Sequence, residues 1–159
     1  MAKDLSDSAK KVQDALTVLG LPCQVVELPA STRTAQEAAQ AIGCTVAQIV
    51  KSLVFRGTRT AKPILVLASG VNRVNEKRLG ELAGEPVGKA DADFVRQHTG
   101  FAIGGVPPVG HTAPIETYID SELLEFEEIW AAAGNPHAVF RLTGKDLSKM
   151  GQGRVAAIK

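Results

Sequence analysis

The stretch that most constrains this chain runs from Ile49 to Ala68. Ile49-Val50-Lys51-Ser52-Leu53-Val54-Phe55 is rich in β-forming residues, and Gly57-Thr58-Arg59-Thr60 has turn chemistry. Ile64 to Ala68 is a second apolar run, so the whole predicts a β-hairpin. Side chains alternate along a strand, which places Lys51 on one face with Ile49, Leu53 and Phe55. Burying an ammonium is costly unless an anion or several oxygens meet it. Lys51 is therefore either a lysine snorkelling at a sheet rim or a fixed cation that meets a phosphate or a developing oxyanion.

Helices precede this hairpin and alternate with strands after it. Ser6 or Asp7 can cap a helix carrying Ala9, Val12, Ala15, Leu16 and Leu19 at helical spacing, stopped by Gly20 and Pro22. Gln24 to Leu28 predicts a strand closed by Pro29. Thr34-Ala35-Gln36-Glu37 is a capping box for a helix ending near Gly43, and Thr45-Val46-Ala47-Gln48 repeats the signature for one short turn. Asn75 caps a helix that finishes at Gly84, and Asp91 caps another that finishes at Gly100. Phe101 opens a short apolar strand, and Glu116 to Ile119 forms the next. Ser121 to Phe126 reads as a short helix or turn. Glu128 to Ala133 and His137 to Leu142 flank Gly134-Asn135-Pro136 as a second hairpin. Thr143 caps a last helix to Met150, ended by Gly151, and Arg154 to Ile158 predicts a closing strand. Without regular β-α-β alternation, this order predicts one α+β domain over residues 1–159, with a curved, partly closed mixed sheet and helices outside it.

A net charge of +1 excludes a binder of bulk polyanion such as a long DNA duplex. The distribution is uneven. Lys51 to Gly80 carries seven cations against Glu76 alone, and Thr112 to Trp130 carries six carboxylates with no Lys or Arg. The first of these segments permits a limited basic patch able to hold a few phosphates. The N-terminal residues lack the apolar run of a signal peptide and no stretch reaches membrane-span length, so the expected setting is the cytoplasm. Cys23 and Cys44 are far apart and lack histidines at ligand spacing, which predicts reduced thiols. No G-x-S-x-G, H-E-x-x-H, G-x-G-x-x-G or P-loop pattern occurs, so no metal or cofactor is expected.

The second unusual stretch is Phe101 to His111, Phe-Ala-Ile-Gly-Gly-Val-Pro-Pro-Val-Gly-His. Gly104 and Gly105 leave bare backbone, while Pro107 and Pro108 hold the next turn stiff. Such a segment serves either as a tight connection or as a loop that reads a small ligand through main-chain groups. Of the scattered histidines, His98, His111 and His137, only His111 lies in this loop, and it reads as structural or as a site residue.

Together these stretches resemble the YbaK/EbsC family, the free-standing relatives of the editing domain inserted in bacterial prolyl-tRNA synthetases. The resemblance is carried by Ile49 to Phe55 and by Gly104-Gly105-Val106-Pro107-Pro108-Val109-Gly110-His111. The Thr34 helix start, the Thr99-Gly100-Phe101 lead-in and the Glu128 to Leu142 hairpin add to it. It implies a mixed, partly barrel-like sheet with surrounding helices, and hydrolysis of the ester that joins a wrong amino acid to tRNA, most fittingly tRNA(Pro). The implied partners are the aminoacyl-CCA end of tRNA and prolyl-tRNA synthetase. By the same resemblance, Lys51, Gly104 and Gly105 are catalytic, and Val106, Pro107, Pro108, His111, Ala132 and Gly134 surround the substrate. Some cysteine-specific members carry serine where Ala132 aligns, so this chain presents a small apolar wall instead. The alternative on the same fold is a binding or regulatory protein that holds an amino acid or a tRNA end without cleaving it. An aminoacyl ester is already activated, so positioning and oxyanion stabilisation suffice without a nucleophile triad.

Overall fold

A computed structural model describes residues 5–150 and 153–159. The helix starts obey their local chemistry. The side chains of Thr34, Asn75, Asp91 and Thr143 accept hydrogen bonds from the backbone N–H of Glu37, Arg78, Phe94 and Asp146, each satisfying a donor that has no partner inside its helix. The helices are α1 (Asp7–Val18), α2 (Ala35–Ile42), α3 (Glu76–Ala83), α4 (Ala92–Thr99) and α5 (Gly144–Ser148). Gly43, Gly84 and Gly100 end α2, α3 and α4 in the left-handed conformation. The expected stop at Gly151 lies outside the described residues.

Eight strands form one mixed sheet: β1 (Val25–Glu27), β2 (Ile49–Gly57), β3 (Pro63–Ser69), β4 (Val87–Lys89), β5 (Glu116–Asp120), β6 (Ile129–Ala132), β7 (Ala138–Leu142) and β8 (Arg154–Ala156). The path runs β1-β7-β6-β2-β3-β5-β8, with β4 attached to β2. Both expected hairpins form, with Val50 to Arg56 opposite Ser69 to Pro63 and Ile129 to Ala132 opposite Leu142 to Val139. The expected α+β mixed sheet with outer helices is what the chain adopts.

Two local readings are corrected. Phe101 starts no strand, because the Thr99 hydroxyl accepts from Phe101 N–H at 3.0 Å and so captures the donor a strand would use. Phe101 is instead a buried core residue. In the other direction, β4 had no signal. It is three residues long with glycine in the middle, and it forms only because β2 extends past β6 and offers it an edge.

The sheet is covered on both faces. From β3, Leu65 and Leu67 join a core with Val12 and Leu16 of α1, Val95 of α4 and Leu147 of α5. Ile64, Val66 and Ala68 point the other way, against Leu79 of α3 and Tyr118. A third, smaller cluster packs Ala38 and Ala39 of α2 on Ile49 and Trp130. Each fully buried leucine here contributes about 2 kcal/mol relative to an exposed one.

Strand β2 decides where a site can form. One edge is paired with β3 along nearly its whole length. The other edge is shared: β6 runs parallel to it at Ile49 and Val50, and β4 runs antiparallel at Phe55 to Gly57. Between those partners, Lys51 to Val54 have no strand neighbour on that edge among the described residues. A gap in a sheet leaves backbone and side chains open to a ligand.

The turn between β2 and β3 is held by Glu85. Its carboxylate accepts from Thr60 Oγ1 at 2.6 Å and from the N–H groups of Arg59 and Thr60 at 2.8 and 3.0 Å. The Thr60 hydroxyl above all, then these amides, hold the carboxyl well below its ordinary 4.5, near about 2. A depressed carboxyl stabilises the fold above its unfolded pKa and loses that contribution as pH falls through the folded one. Wild type should therefore exceed Glu85→Gln in urea midpoint at neutral pH, and the gap should close as pH falls from 4.5 to about 2. A gap that stays constant over that range would show that the carboxylate charge is not what holds the turn.

Candidate functional site

Lys51 stands in the gap on β2, half-buried, on the face it shares with Ile49, Leu53 and Phe55. Those companions belong to two separate clusters, Ile49 under α2 and the other two beneath α3. The lysine therefore emerges between helices. Its Nζ donates to the Asn72 carbonyl at 2.6 Å. Burial lowers its pKa first, the like charge of Arg73 lowers it further, and Asp120 opposes both.

Asn72 is itself fixed from below. Its Nδ2 donates to Asp120 Oδ2 at 2.8 Å, and the same oxygen accepts from Ser69 N–H at 3.0 Å. Asp120 Oδ1 accepts from Glu122 N–H at 3.0 Å. Asp120 is only 2 % exposed, and a buried carboxylate is tolerable because N–H groups meet both oxygens. This carboxylate pins the end of β3 and the carbonyl to which Lys51 is bonded.

Facing Lys51 is the segment 102–111. Gly104 has φ +92, a conformation strained for any other residue, and a Cβ there would lie 2.9 Å from Arg33 Cγ. Its N–H makes no hydrogen bond among the described residues. Gly105 differs. Its N–H donates to Ala102 O at 3.1 Å, and its carbonyl accepts from Gly134 N–H at 2.8 Å. A Cβ on Gly105 would come within 2.7 Å of Asn135 Cα and 3.0 Å of the Gly134 carbonyl carbon. The loop thus rests directly on the backbone at the tip of the β6–β7 hairpin. Gly105→Ala forces those main chains apart, and we expect a loss of about 1–3 kcal/mol in urea unfolding; unchanged stability would refute this tight packing.

His111 braces the loop from behind. Burial holds its pKa below the ordinary value, against the pull of its bond to Pro107, and Lys11 adds to the depression. The neutral ring donates from Nε2 to the Pro107 carbonyl at 2.7 Å.

Two cavities meet at this place. The first, about 360 Å³, lies between α2, β2, β6 and the loop, with Ala38, Ile42, Trp130, Ala132 and Val139 among its walls. The second, about 470 Å³, opens toward β4 and α4 and is lined by Phe55, Arg73, Glu76, Lys89 and Val95, among others. Lys51, Ser52, Leu53, Ile103, Gly104 and Val106 line both. Of the residues singled out in the sequence, the structure thus brings together Lys51, Gly104, Val106 and Ala132. Gly105, Pro107, Pro108, His111 and Gly134 line neither cavity. Pro108 and His111 face a separate depression behind the loop.

Sequence reasoning missed several lining residues. Thr32 and Trp130 carried no motif; Ser52 came after Lys51 without drawing notice, and Arg73 and Lys89 were only members of charged stretches. Thr32 Oγ1, Ser52 Oγ and Trp130 Nε1 are buried atoms without a hydrogen-bond partner among the described residues. All three belong to walls of the first cavity. Unpaired buried polar atoms are rare, so such a cluster in one wall marks a place where a ligand or water completes the bonding. No helix of the described residues is long and apolar enough to cross a membrane.

Comparison with known proteins agrees with this geometry. The model of the aminoacyl-tRNA editing domain matches residues 29–150. A crystal structure described as a candidate trans-editing enzyme for prolyl tRNA synthetase is 52% identical, with a TM-score of 0.92 over 98% of this chain and 99% of that one. The protein YwhH of Bacillus subtilis (strain 168) is 32% identical over 93% of this chain and 94% of its own length. The proline--tRNA ligase of Xanthomonas campestris pv. campestris (strain 8004) is 30% identical over 89% of this chain, which spans only 26% of that longer enzyme. The resemblance expected from Lys51 and the glycine-proline loop is therefore real, and the chain belongs to the aminoacyl-tRNA editing domain family.

Proposed function

We propose that the protein is a hydrolase that acts in trans on mischarged tRNA, cleaving the ester of a small non-cognate amino acid, with tRNA(Pro) as the carrier. The observation that carries this reading is the juxtaposition of a half-buried Lys51 and the unpaired Gly104 N–H at the junction of two cavities. The likeness to a candidate trans-editing enzyme for prolyl tRNA synthetase and to proline--tRNA ligase supports the choice of tRNA(Pro) and makes that synthetase the natural partner.

The chemistry needs little from the protein beyond placement. A water oxygen attacks the ester carbonyl carbon, aided by the vicinal ribose hydroxyl. The bond from that carbon to the ribose oxygen breaks, the ribose oxygen takes up a proton, and the amino acid leaves as its carboxylate. Gly104 N–H is placed to donate to the carbonyl oxygen as charge builds on it, while Lys51 supplies the cation on the ribose and phosphate side. Gly105 serves this arrangement through its carbonyl, which seats the loop, since its N–H is spent on Ala102. The first cavity, narrowed by Ala132 and Trp130, accommodates a small side chain. An apolar pocket alone separates small amino acids poorly, which is why a second, hydrolytic sieve is useful.

The test is a panel of tRNA(Pro) charged with alanine, cysteine, serine, threonine or proline, with amino-acid release measured with and without the protein. Acceleration on one or more mischarged species, with the prolyl form spared, is the expected result. If no mischarged species is released faster, the hydrolytic reading is wrong, and tight binding without turnover would favour the binding protein.

A further inference from the structure

The two cavities share a wall but differ in character. The first is mostly aliphatic beyond its three unpaired polar atoms. The second gathers Lys51, Arg73 and Lys89 around one space, with Glu76 as the only carboxylate in its lining. Arg73 and Lys89 are exposed at its rim, and neither makes a salt bridge or a side-chain hydrogen bond among the described residues. Like charges gathered without counter-ions repel one another, and an anion placed between them relieves that repulsion. The depression of the Lys51 pKa by Arg73 reports the same repulsion from the lysine's side. On the ridge between the cavities stands Ile103, 51% exposed although it is a large aliphatic residue. An exposed apolar side chain flanked by cations suits a nucleotide, whose base packs on apolar surface while its phosphates meet the charges.

We propose that the second cavity is the subsite for the 3′-terminal nucleotide of the acceptor strand. Arg73 and Lys89 take its phosphates, and Ile103 is the wedge that keeps the base on one side and the amino acid on the other. This rests on the reading of the protein as an aminoacyl-tRNA hydrolase. It divides the substrate at the ester: the amino acid enters the aliphatic cavity, the nucleotide the cationic one, and the scissile bond lies over Lys51 and Gly104. A volume of about 470 Å³ lies within the range that takes one nucleoside-sized group.

The experiment measures binding, so it does not depend on turnover. An uncharged RNA hairpin with the acceptor stem and a single-stranded CCA end is titrated against wild type and the Arg73→Ala/Lys89→Ala double variant. The same hairpin ending in CC serves as the second probe. Both side chains are exposed, and unchanged thermal unfolding confirms that the variant is folded. Wild type should bind the CCA hairpin more tightly than the CC hairpin. The double variant should bind the CCA form about tenfold more weakly, with a salt slope shallower by about 1.4, the value for two lost contacts to a single strand. Equal affinity and slope in variant and wild type, or equal binding of the two hairpins by wild type, would overturn the proposal. The outcomes also separate the two readings. CCA binding that depends on Arg73 and Lys89 in a protein that deacylates nothing keeps the subsite and removes the hydrolase. Deacylation undisturbed by the double substitution, with unchanged binding, keeps the hydrolase and removes the subsite.

Discussion

Lys51→Ala is expected to lower kcat/KM for deacylation of mischarged tRNA by about 10²–10³, the usual effect of removing one preorganised group that stabilises developing charge. The fold should tolerate the change. Lys51 lines open cavities instead of filling a core, and its one protein bond is to a backbone carbonyl that water can serve once the side chain is gone. Thermal unfolding within a few degrees of wild type is therefore part of the prediction. Lys51→Met, which keeps the stem and removes the charge, should be as inactive as the alanine variant. The split between kinetic constants assigns the role. A fall in kcat with KM held means that the ammonium acts on charge that exists only in the transition state, whereas a rise in KM with kcat held means that it grips a phosphate already present in the substrate. Full activity in Lys51→Met would remove the lysine from the chemistry altogether.

The second large effect belongs to a residue that touches no cavity. Asp120→Ala should destabilise the protein by about 3–5 kcal/mol, because it strips the partner from Ser69 N–H, Asn72 Nδ2 and Glu122 N–H in a site that is 2 % exposed. Asp120→Asn keeps the volume but turns an NH₂ toward one of those donors, so it should fall between wild type and alanine. Urea unfolding of the three proteins checks the order. In the asparagine variant, activity should fall more than stability alone explains, since the carbonyl of Asn72 orients the Lys51 ammonium. A variant with wild-type stability would show that the network is not carrying the corner where β3 ends.

Much of the local structure was legible because its causes are local. Thr34, Asn75, Asp91 and Thr143 each bond an N–H two or three positions into their helices, and such contacts can be read from spacing alone. The face of Lys51 was legible for the same reason, since alternation along a strand is a property of the backbone. Phe101 misled because an apolar run does not reveal that the Thr99 hydroxyl claims its amide. Strand β4 was invisible because Val-Gly-Lys carries no β signal of its own, and its existence depends on a partner strand more than thirty residues earlier. Within the glycine pair, the sequence could not tell the two apart. Gly104 keeps its N–H available, and Gly105 is needed for its bareness against Gly134 and Asn135.

By itself the sequence determined the element types, the apolar company of Lys51, and, through Ile49 to Phe55 and Gly104 to His111, the family. Each of these rests on groups a few residues apart or on motifs that survive as strings. Tertiary structure alone decided that β6 and β4 stop short of each other along β2, which leaves the edge at Lys51 open. It also decided that the loop seats against the hairpin tip, that Asp120 reaches Asn72 from 48 residues away, and that Arg73 and Lys89 come to share one cavity. Strand partners and buried polar bonds are chosen by the packing of the whole chain, and packing between distant segments leaves no periodic trace in any one of them.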